Sequence, residues 1–270
     1  MTASVDDTGW FVTRGGAAAH APRVYCFAPA GEDSRAFLPW QDELGDEAEL
    51  VAVCPPGRAH RAREPRPSLE EFAQGAAAAI LARARDSGRG DGDGNGNGRP
   101  VYLFGHSLGS LVAFETARRL RDLPALRHLF VSGVSAPSLA PSQRVRELAA
   151  LEGREFAEAL RFFEGLPPEA MAHEELLDLL LPGVIADFRM AAAYRYRPAP
   201  PLAVRVTLIA GRDDAYLDPD KVALWDEECL TRPACHWVDG GHFYYRDTSP
   251  SAVTDLMLAA VRADRHIEVI

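Results

Sequence analysis

The stretch that decides the fold class of this 270-residue chain is VYLFGHSLGSLVAFETARRL, residues Val101 to Leu120. It begins with apolar residues typical of a buried strand and ends with residues at helical spacing. Between the two lies Gly105-His106-Ser107-Leu108-Gly109, which matches the pattern G-x-S-x-G. Glycines carry no Cβ atom, so strand and helix can approach closely and the serine is held at the apex of a sharp turn. A serine exposed at such a turn, between a strand and a helix, indicates a nucleophile at Ser107. The N-terminus of the following helix favours negative charge and therefore suits an oxyanion formed beside this serine.

Short apolar segments and helical segments alternate along the rest of the chain. The strand candidates are rich in β-branched and aromatic residues and mostly apolar on both faces, which is typical of a parallel sheet covered by helices. Helix starts are indicated by Ser68 with Glu71 three residues later, by Asp218-Pro219 and by Ser249-Pro250. The alternation predicts an α/β fold with a mostly parallel sheet flanked by helices. The predicted strands are Arg23–Ala28, Ala48–Cys54, Pro100–Phe104, Leu126–Gly133, Ala203–Gly211 and Cys235–Asp239.

Two segments interrupt this alternation. Residues 86–99 are rich in glycine and lack large apolar side chains, which predicts a flexible surface loop outside the core. Residues 136–201 separate two strands by far more chain than a crossover needs, and they contain several helical patterns. They predict a helical lid inserted at one edge of the sheet. With this insertion, the chain length fits a single domain spanning residues 1–270.

Charge and composition argue against several classes of protein. The chain has 29 Lys and Arg against 39 Asp and Glu, and the net charge of −10 argues against binding to nucleic acid. No apolar run is long enough to span a membrane, and no signal peptide is visible, so we expect a cytoplasmic protein without a membrane partner. The four cysteines form no C-x-x-C pair, so we expect reduced thiols and no metal site.

A serine hydroxyl becomes a good nucleophile only when a base removes its proton. Behind a G-x-S-x-G turn, the expected order along the chain is serine, then acid, then histidine. Of the eight histidines, His242 directly follows the last predicted strand and is preceded by two glycines, so we predict that it is the general base. The acid is expected where the preceding strand ends, in the GRDD turn. Both Asp213 and Asp214 lie within reach there.

Taken together, these motifs resemble the type II thioesterases of polyketide and nonribosomal peptide biosynthesis, which have an α/β-hydrolase fold. The resemblance covers nearly the whole chain, and it implies that the acid is the third residue after Gly211, which is Asp214. It also implies an oxyanion hole formed by the backbone N–H groups of Ala30 and Leu108. The segments that carry it, besides the serine turn, are VYCFAPAGEDSRAFLPW, AVCPPGRAHRAREP, PGVIADFRMAAAYRYRP, LIAGRDD and GGHFYY.

The resemblance implies an editing or release enzyme that hydrolyses acyl thioesters of carrier proteins through an acyl-serine. Its partners would be acyl or peptidyl carrier proteins, and it would need no cofactor, since phosphopantetheine belongs to the substrate. The expected substrate contacts are Phe162, Phe163 and Phe188 of the lid. A carboxylesterase or lipase acting on free small esters uses the same triad and is the alternative. A binding module without activity is the other alternative, against which the complete triad argues.

Two further features of the sequence concern charged residues. Where the family has a second glycine after the first strand, this chain has Glu32, whose charge would oppose a developing oxyanion if it faced the site. The segment that follows the second predicted strand contains a cluster of arginines. They would form either a basic docking patch for an acidic carrier protein or an ordinary solvated loop. They are Arg58, Arg61, Arg63 and Arg66.

Overall fold

A computed structural model describes residues 3–90, 98–160, 173–247 and 251–267. Within these ranges, eight strands form one sheet in the order β1-β2-β4-β3-β5-β6-β7-β8. The strands are β1 (Ser4–Val5), β2 (Phe11–Thr13), β3 (Arg23–Phe27), β4 (Glu49–Val53), β5 (Val101–His106), β6 (Leu126–Ser132), β7 (Arg205–Gly211) and β8 (Ala234–Val238).

The six predicted strands are all present, and they pair in parallel from β4 to β8. The prediction of a mostly parallel sheet is therefore confirmed. The sequence reading missed β1 and β2, which pair antiparallel at the β4 edge. They have two and three residues, too few to show an apolar repeat, so only their pairing defines them as strands.

Helices cover both faces of the sheet. On one face, α2 and α3 pack through residues such as Leu69 and Phe114. On the other face, α9 packs through Met257 and Val261. The α-helices of the described ranges are α1 (Gln41–Leu44), α2 (Leu69–Gly90), α3 (Leu108–Arg119), α4 (Gln143–Ala149), α5 (Gly153–Leu160), α6 (Glu174–Ala193), α7 (Pro219–Ala223), α8 (Tyr244–Asp247) and α9 (Ser251–Ile267).

The predicted helix caps agree with the structure where it describes them. The backbone N–H of Ser68 donates to the Glu71 carboxylate at 2.8 Å, and the N–H of Glu71 donates back to the Ser68 hydroxyl at 3.2 Å. Asp218 caps α7 by accepting from the N–H of Asp220. Ser249-Pro250 lies outside the described residues.

The boundary of the predicted glycine-rich loop was wrong. Helix α2 runs through Gly90, so the first residues of the segment 86–99 are helical. Extending an existing helix costs little compared with nucleating one, and a capped helix can therefore run into poor helix-forming sequence. Residues 91–97 lie outside the described residues.

Within the predicted insertion 136–201, helices α4, α5 and α6 form a layer with its own apolar cluster. Phe156 of α5 and Phe188 of α6 meet edge to face, with ring centroids 5.4 Å apart. The cluster consists of Leu148, Phe156, Ala157, Leu160, Leu181, Val184, Ile185 and Phe188. These helices therefore hold together through their own packing and lie beside the sheet as a unit.

The described residues contain neither a helix long and apolar enough to cross a bilayer nor a cluster of potential metal ligands. All four cysteines are free thiols, and three of them are buried.

Candidate active site

Ser107 occupies the sharp turn between β5 and α3, with φ 52° and ψ −118°. A positive φ is strained for a residue with a Cβ atom, and such strain is concentrated at functional sites. Its backbone N–H donates to the carbonyl of Ser132 at 2.8 Å, which ties the turn to β6. The flanking glycines leave no room for side chains. A Cβ atom added to Gly105 would lie 2.2 Å from the carbonyl oxygen of Gly109. A Cβ atom added to Gly109 would lie 2.1 Å from the carbonyl oxygen of Phe27.

His242 and Asp214 form a buried pair at the carboxyl ends of β8 and β7. His242 Nδ1 lies 2.7 Å from Asp214 Oδ2, and both residues are buried. The other carboxylate oxygen of Asp214 accepts the N–H of Tyr216 at 2.9 Å. Asp213, in contrast, is exposed. The geometry therefore selects Asp214 as the partner of His242, and since Nδ1 is engaged, Nε2 is the ring nitrogen left to face a substrate or Ser107.

Ser107 and His242 line one cavity of about 670 Å³, which lies between the strand ends and the lid helices. This volume is in the usual range for a site that encloses a small organic ligand. Apolar side chains of the lid, including Leu160, Val184 and Phe188, line one part of it. Phe188 therefore lines the cavity, and its contact with a substrate stays a prediction. Phe162 and Phe163 are outside the described residues.

The two predicted oxyanion donors, Ala30 and Leu108, also line this cavity. The contact of Gly109 with the carbonyls of Phe27 and Ala28 brings the N-terminus of α3 against the loop after β3. We refer to residues 28–32, which contain the predicted donor Ala30, as the oxyanion loop. A helix N-terminus beside this loop is suited to stabilise a developing negative charge.

Glu32 does not carry a free negative charge at the site. Its carboxylate contacts the guanidinium of Arg246, and the hydroxyl of Tyr245 lies 3.5 Å away. Burial lowers the pKa of Arg246, which itself packs over the ring of Phe243. Glu32 therefore links the oxyanion loop to the segment that follows His242.

The structure places a further histidine, His106, beside the predicted base, and the sequence alone assigned it no role. His106 is fully buried, and its ring centroid lies 4.8 Å from that of His242. Its Nδ1 lies 2.7 Å from the Ser132 hydroxyl, which in turn lies 2.6 Å from the Tyr244 hydroxyl. Burial, with a smaller contribution from His242, holds the pKa of His106 well below its usual value. The predicted base His242 therefore packs beside a neutral imidazole. The place of His106 inside G-x-S-x-G was the available signal.

The arginine cluster after β4 is not a free basic patch. Arg61 is buried, with its guanidinium 4.0 Å from the ring centroid of Trp10, and it pairs with Glu64. The guanidinium of Arg58 pairs with the buried carboxylate of Asp187 on α6. The guanidinium of Arg66, which is more exposed, lies 3.8 Å from the other oxygen of the same carboxylate. Three of the four arginines thus make internal ion pairs, and the docking role is not supported for them.

A strained serine turn, a buried His–Asp pair and a mostly parallel sheet with helices on both faces together define an α/β-hydrolase. The chain belongs to the thioesterase domain family, whose family model matches residues 22–259. It is therefore a serine-type hydrolase of thioesters, and the resemblance to type II thioesterases is confirmed.

Individual relatives are consistent with this assignment. The thioesterase PikA5 of Streptomyces venezuelae is 35% identical over 231 residues, which cover 84% of this chain and 76% of the relative. The gramicidin S biosynthesis protein GrsT of Aneurinibacillus migulanus is 28% identical, covering 87% of each. Among solved structures, the type II thioesterase BorB of the borrelidin cluster superposes with a TM-score of 0.78 at 28% identity, covering 93% of this chain and 97% of that one. The RedJ thioesterase of Streptomyces coelicolor gives 0.76 at 30% identity, covering 92% and 96%.

Proposed function

We propose that this chain hydrolyses acyl thioesters on the phosphopantetheine arm of acyl or peptidyl carrier proteins, as an editing or release enzyme of polyketide or nonribosomal peptide biosynthesis. The observation that carries the proposal is the cavity that joins Ser107 and His242 to the apolar lid. An acyl chain would occupy the lid side, with its thioester carbonyl at Ser107. The relatives with biosynthetic names support the pathway class.

The reaction has two acyl transfers. His242 Nε2 takes the proton of the Ser107 hydroxyl as the oxygen attacks the thioester carbonyl, and the N–H groups of Ala30 and Leu108 stabilise the oxyanion. The C–S bond then breaks, and the imidazolium returns its proton to the departing thiolate. Water, deprotonated by the same nitrogen, attacks the acyl-serine. The bond between the acyl carbon and the Ser107 oxygen then breaks, the imidazolium returns its proton to that oxygen, and the free acid is released. Asp214 holds the ring and stabilises its positive charge in both halves.

Groups at the rim of the cavity suit the phosphodiester of the arm. Arg144, Arg146 and Lys221 line the cavity at partly or fully exposed positions. A phosphodiester anion is attracted to such cations, although exposed charges are screened by salt. No cofactor takes part in the proposed chemistry, and a cytoplasmic location is proposed because carrier-bound intermediates are made there.

Deacylation of a panel of acyl carrier proteins, followed by intact-protein mass spectrometry, tests the proposal. We expect loss of the acyl mass from carriers at rates well above those for the matching free oxygen esters. Ser107→Ala should lower this rate by several orders of magnitude while the melting temperature stays close to that of the wild type. Carriers left acylated while small esters are cleaved would instead support the carboxylesterase alternative. A folded Ser107→Ala variant of normal activity would contradict the mechanism.

A further inference from the structure

A buried carboxylate outside the triad contacts the oxyanion loop. Asp187 lies on α6 of the lid, and its side chain is 9% exposed. Its Oδ2 accepts the backbone N–H of Gly31 at 2.8 Å. The same oxygen accepts a hydrogen bond from the guanidinium of Arg58. A lid helix thus supplies the acceptor for an amide of the loop that follows β3.

Further contacts join the same face of α6 to the same loop. Arg58 Nη1 donates to the carbonyl oxygen of Glu32. Its Nη2 lies 3.4 Å from the carbonyl oxygen of Gly183 on α6. Gly31 has φ +84°, and a Cβ added there would lie 3.1 Å from Val184 Cγ2. Gly31 therefore packs directly against α6 in a conformation that glycine adopts without strain.

The position of Gly31 gives these contacts a catalytic consequence. The Gly31 amide belongs to the peptide unit that follows Ala30, so fixing this amide restricts the backbone torsions of Ala30. The N–H of Ala30 is one of the two proposed oxyanion donors. Oxyanion donors act because they are already aimed at the developing charge, and a donor that reorients during reaction loses much of its effect.

We infer that Asp187 is a positioning residue, which aims the Ala30 N–H into the cavity by holding the Gly31 amide from the lid. The inference rests on the proposed oxyanion role of Ala30. The lid and the oxyanion hole then form one mechanical unit. Movement of α6 away from the sheet breaks the hydrogen bond between Gly31 and Asp187, and the Ala30 N–H then no longer points into the cavity. Thioester cleavage therefore requires α6 to be packed against the oxyanion loop.

Two substitutions at Asp187 separate positioning from mere stabilisation. Asn keeps an oxygen acceptor for the Gly31 N–H but loses the charge that pairs with Arg58, whereas Ala loses both. Loss of an oxyanion donor costs about 10²–10³ in kcat. We therefore expect Asp187→Ala to lower kcat at least about thirtyfold with KM changed less than about threefold, and Asp187→Asn to lower kcat less than about fivefold. Both variants should lose similar thermal stability, since both leave Arg58 without a charged partner.

The assay uses a short acyl-N-acetylcysteamine thioester, well below the melting temperature of each variant. Since this substrate has no carrier protein, its hydrolysis separates failure of this inference from failure of the proposed carrier specificity. Glu152→Gln is the matched control, because it removes a lid ion pair with Arg189 that does not contact the oxyanion loop. Its kcat should equal that of the wild type.

The double variant Asp187→Ala/Arg58→Met covers the case in which the single Ala variant folds poorly. It removes Asp187 together with the half-buried guanidinium of Arg58 that pairs with it, so that this guanidinium is not left without its carboxylate, and its kcat should stay as low as that of Asp187→Ala. Recovery of kcat in the double variant would show that the unpaired arginine caused the loss. Equal loss of kcat in the Asn and Ala variants, or no loss in the Ala variant, would also overturn the inference.

Discussion

Replacing Asp214 by Asn tests the assignment of the triad most directly, because the two residues have nearly the same shape. The carboxylate of Asp214 has two engaged oxygens, one facing His242 Nδ1 at 2.7 Å and one accepting the Tyr216 N–H at 2.9 Å. An amide has only one acceptor oxygen. If that oxygen keeps the Tyr216 N–H, the amide NH₂ faces Nδ1 and selects the tautomer with the proton on Nε2. This tautomer cannot take the Ser107 proton.

The magnitude follows from burial. The Asp214 side chain is 0% exposed and that of His242 is 9% exposed, so water provides little compensation for the imidazolium that forms during catalysis. Removing one member of a buried charge pair costs about 3–5 kcal/mol, which corresponds to a rate loss of roughly 10²–10⁴-fold. The equivalent change in the serine-protease triad costs about 10⁴ in kcat. We expect kcat of Asp214→Asn to fall at least about a hundredfold.

Asp213→Asn is the matched control, since Asp213 is the adjacent residue and is exposed. Its kcat should stay within about tenfold of the wild type, because an exposed carboxylate contributes little to a buried site. Both variants are compared on one acyl thioester at saturating concentration, with thermal melting as the check on folding. A larger loss for Asp213→Asn would move the acid to that residue, and mild losses in both would refute the triad described here.

Two further predictions concern the lid and the pH dependence of stability. Phe188→Ala enlarges the lid side of the cavity, so the ratio of kcat/KM for long over short acyl thioesters should rise at least about threefold, since one methylene in an apolar pocket is worth roughly 1–3 kcal/mol. An unchanged chain-length profile would show that this ring does not contact the acyl group. Burial lowers the pKa of His128 from 6.5 to about 3, so the unfolded state binds its proton first and stability is lost as pH falls below about 6.5. Between pH 7.5 and pH 5 this histidine should lower the free energy of unfolding by about 2 kcal/mol. In urea unfolding at a series of pH values, His128→Gln should remove this part of the pH dependence of the unfolding free energy. An unchanged pH dependence would show that His128 is not buried in the neutral form.

Local patterns in the sequence determined the parallel sheet, and they predicted Ser107 and His242 as site residues. The serine turn needs glycines on both sides because the backbones touch there, and that need is visible in five consecutive residues. His242 was found by its place after the last strand and by the two glycines before it. Strands of five to seven residues buried on both faces show as apolar runs, which is why the central strands were predicted.

The family resemblance favoured Asp214 over Asp213, but only the tertiary structure gives a geometric reason for this choice. Adjacent residues of a turn point in different directions, and the sequence does not say which direction leads to His242. The structure likewise decided the role of Asp187, which lies 156 residues from its partner Gly31. It also decided that Arg61 is buried, that Arg58 pairs with Asp187, and that Glu32 faces Arg246. The physical reason is common to all of these: local sequence restricts backbone conformation over a few residues, whereas the partner of a charge depends on which distant segments the fold brings within about 3–4 Å of it.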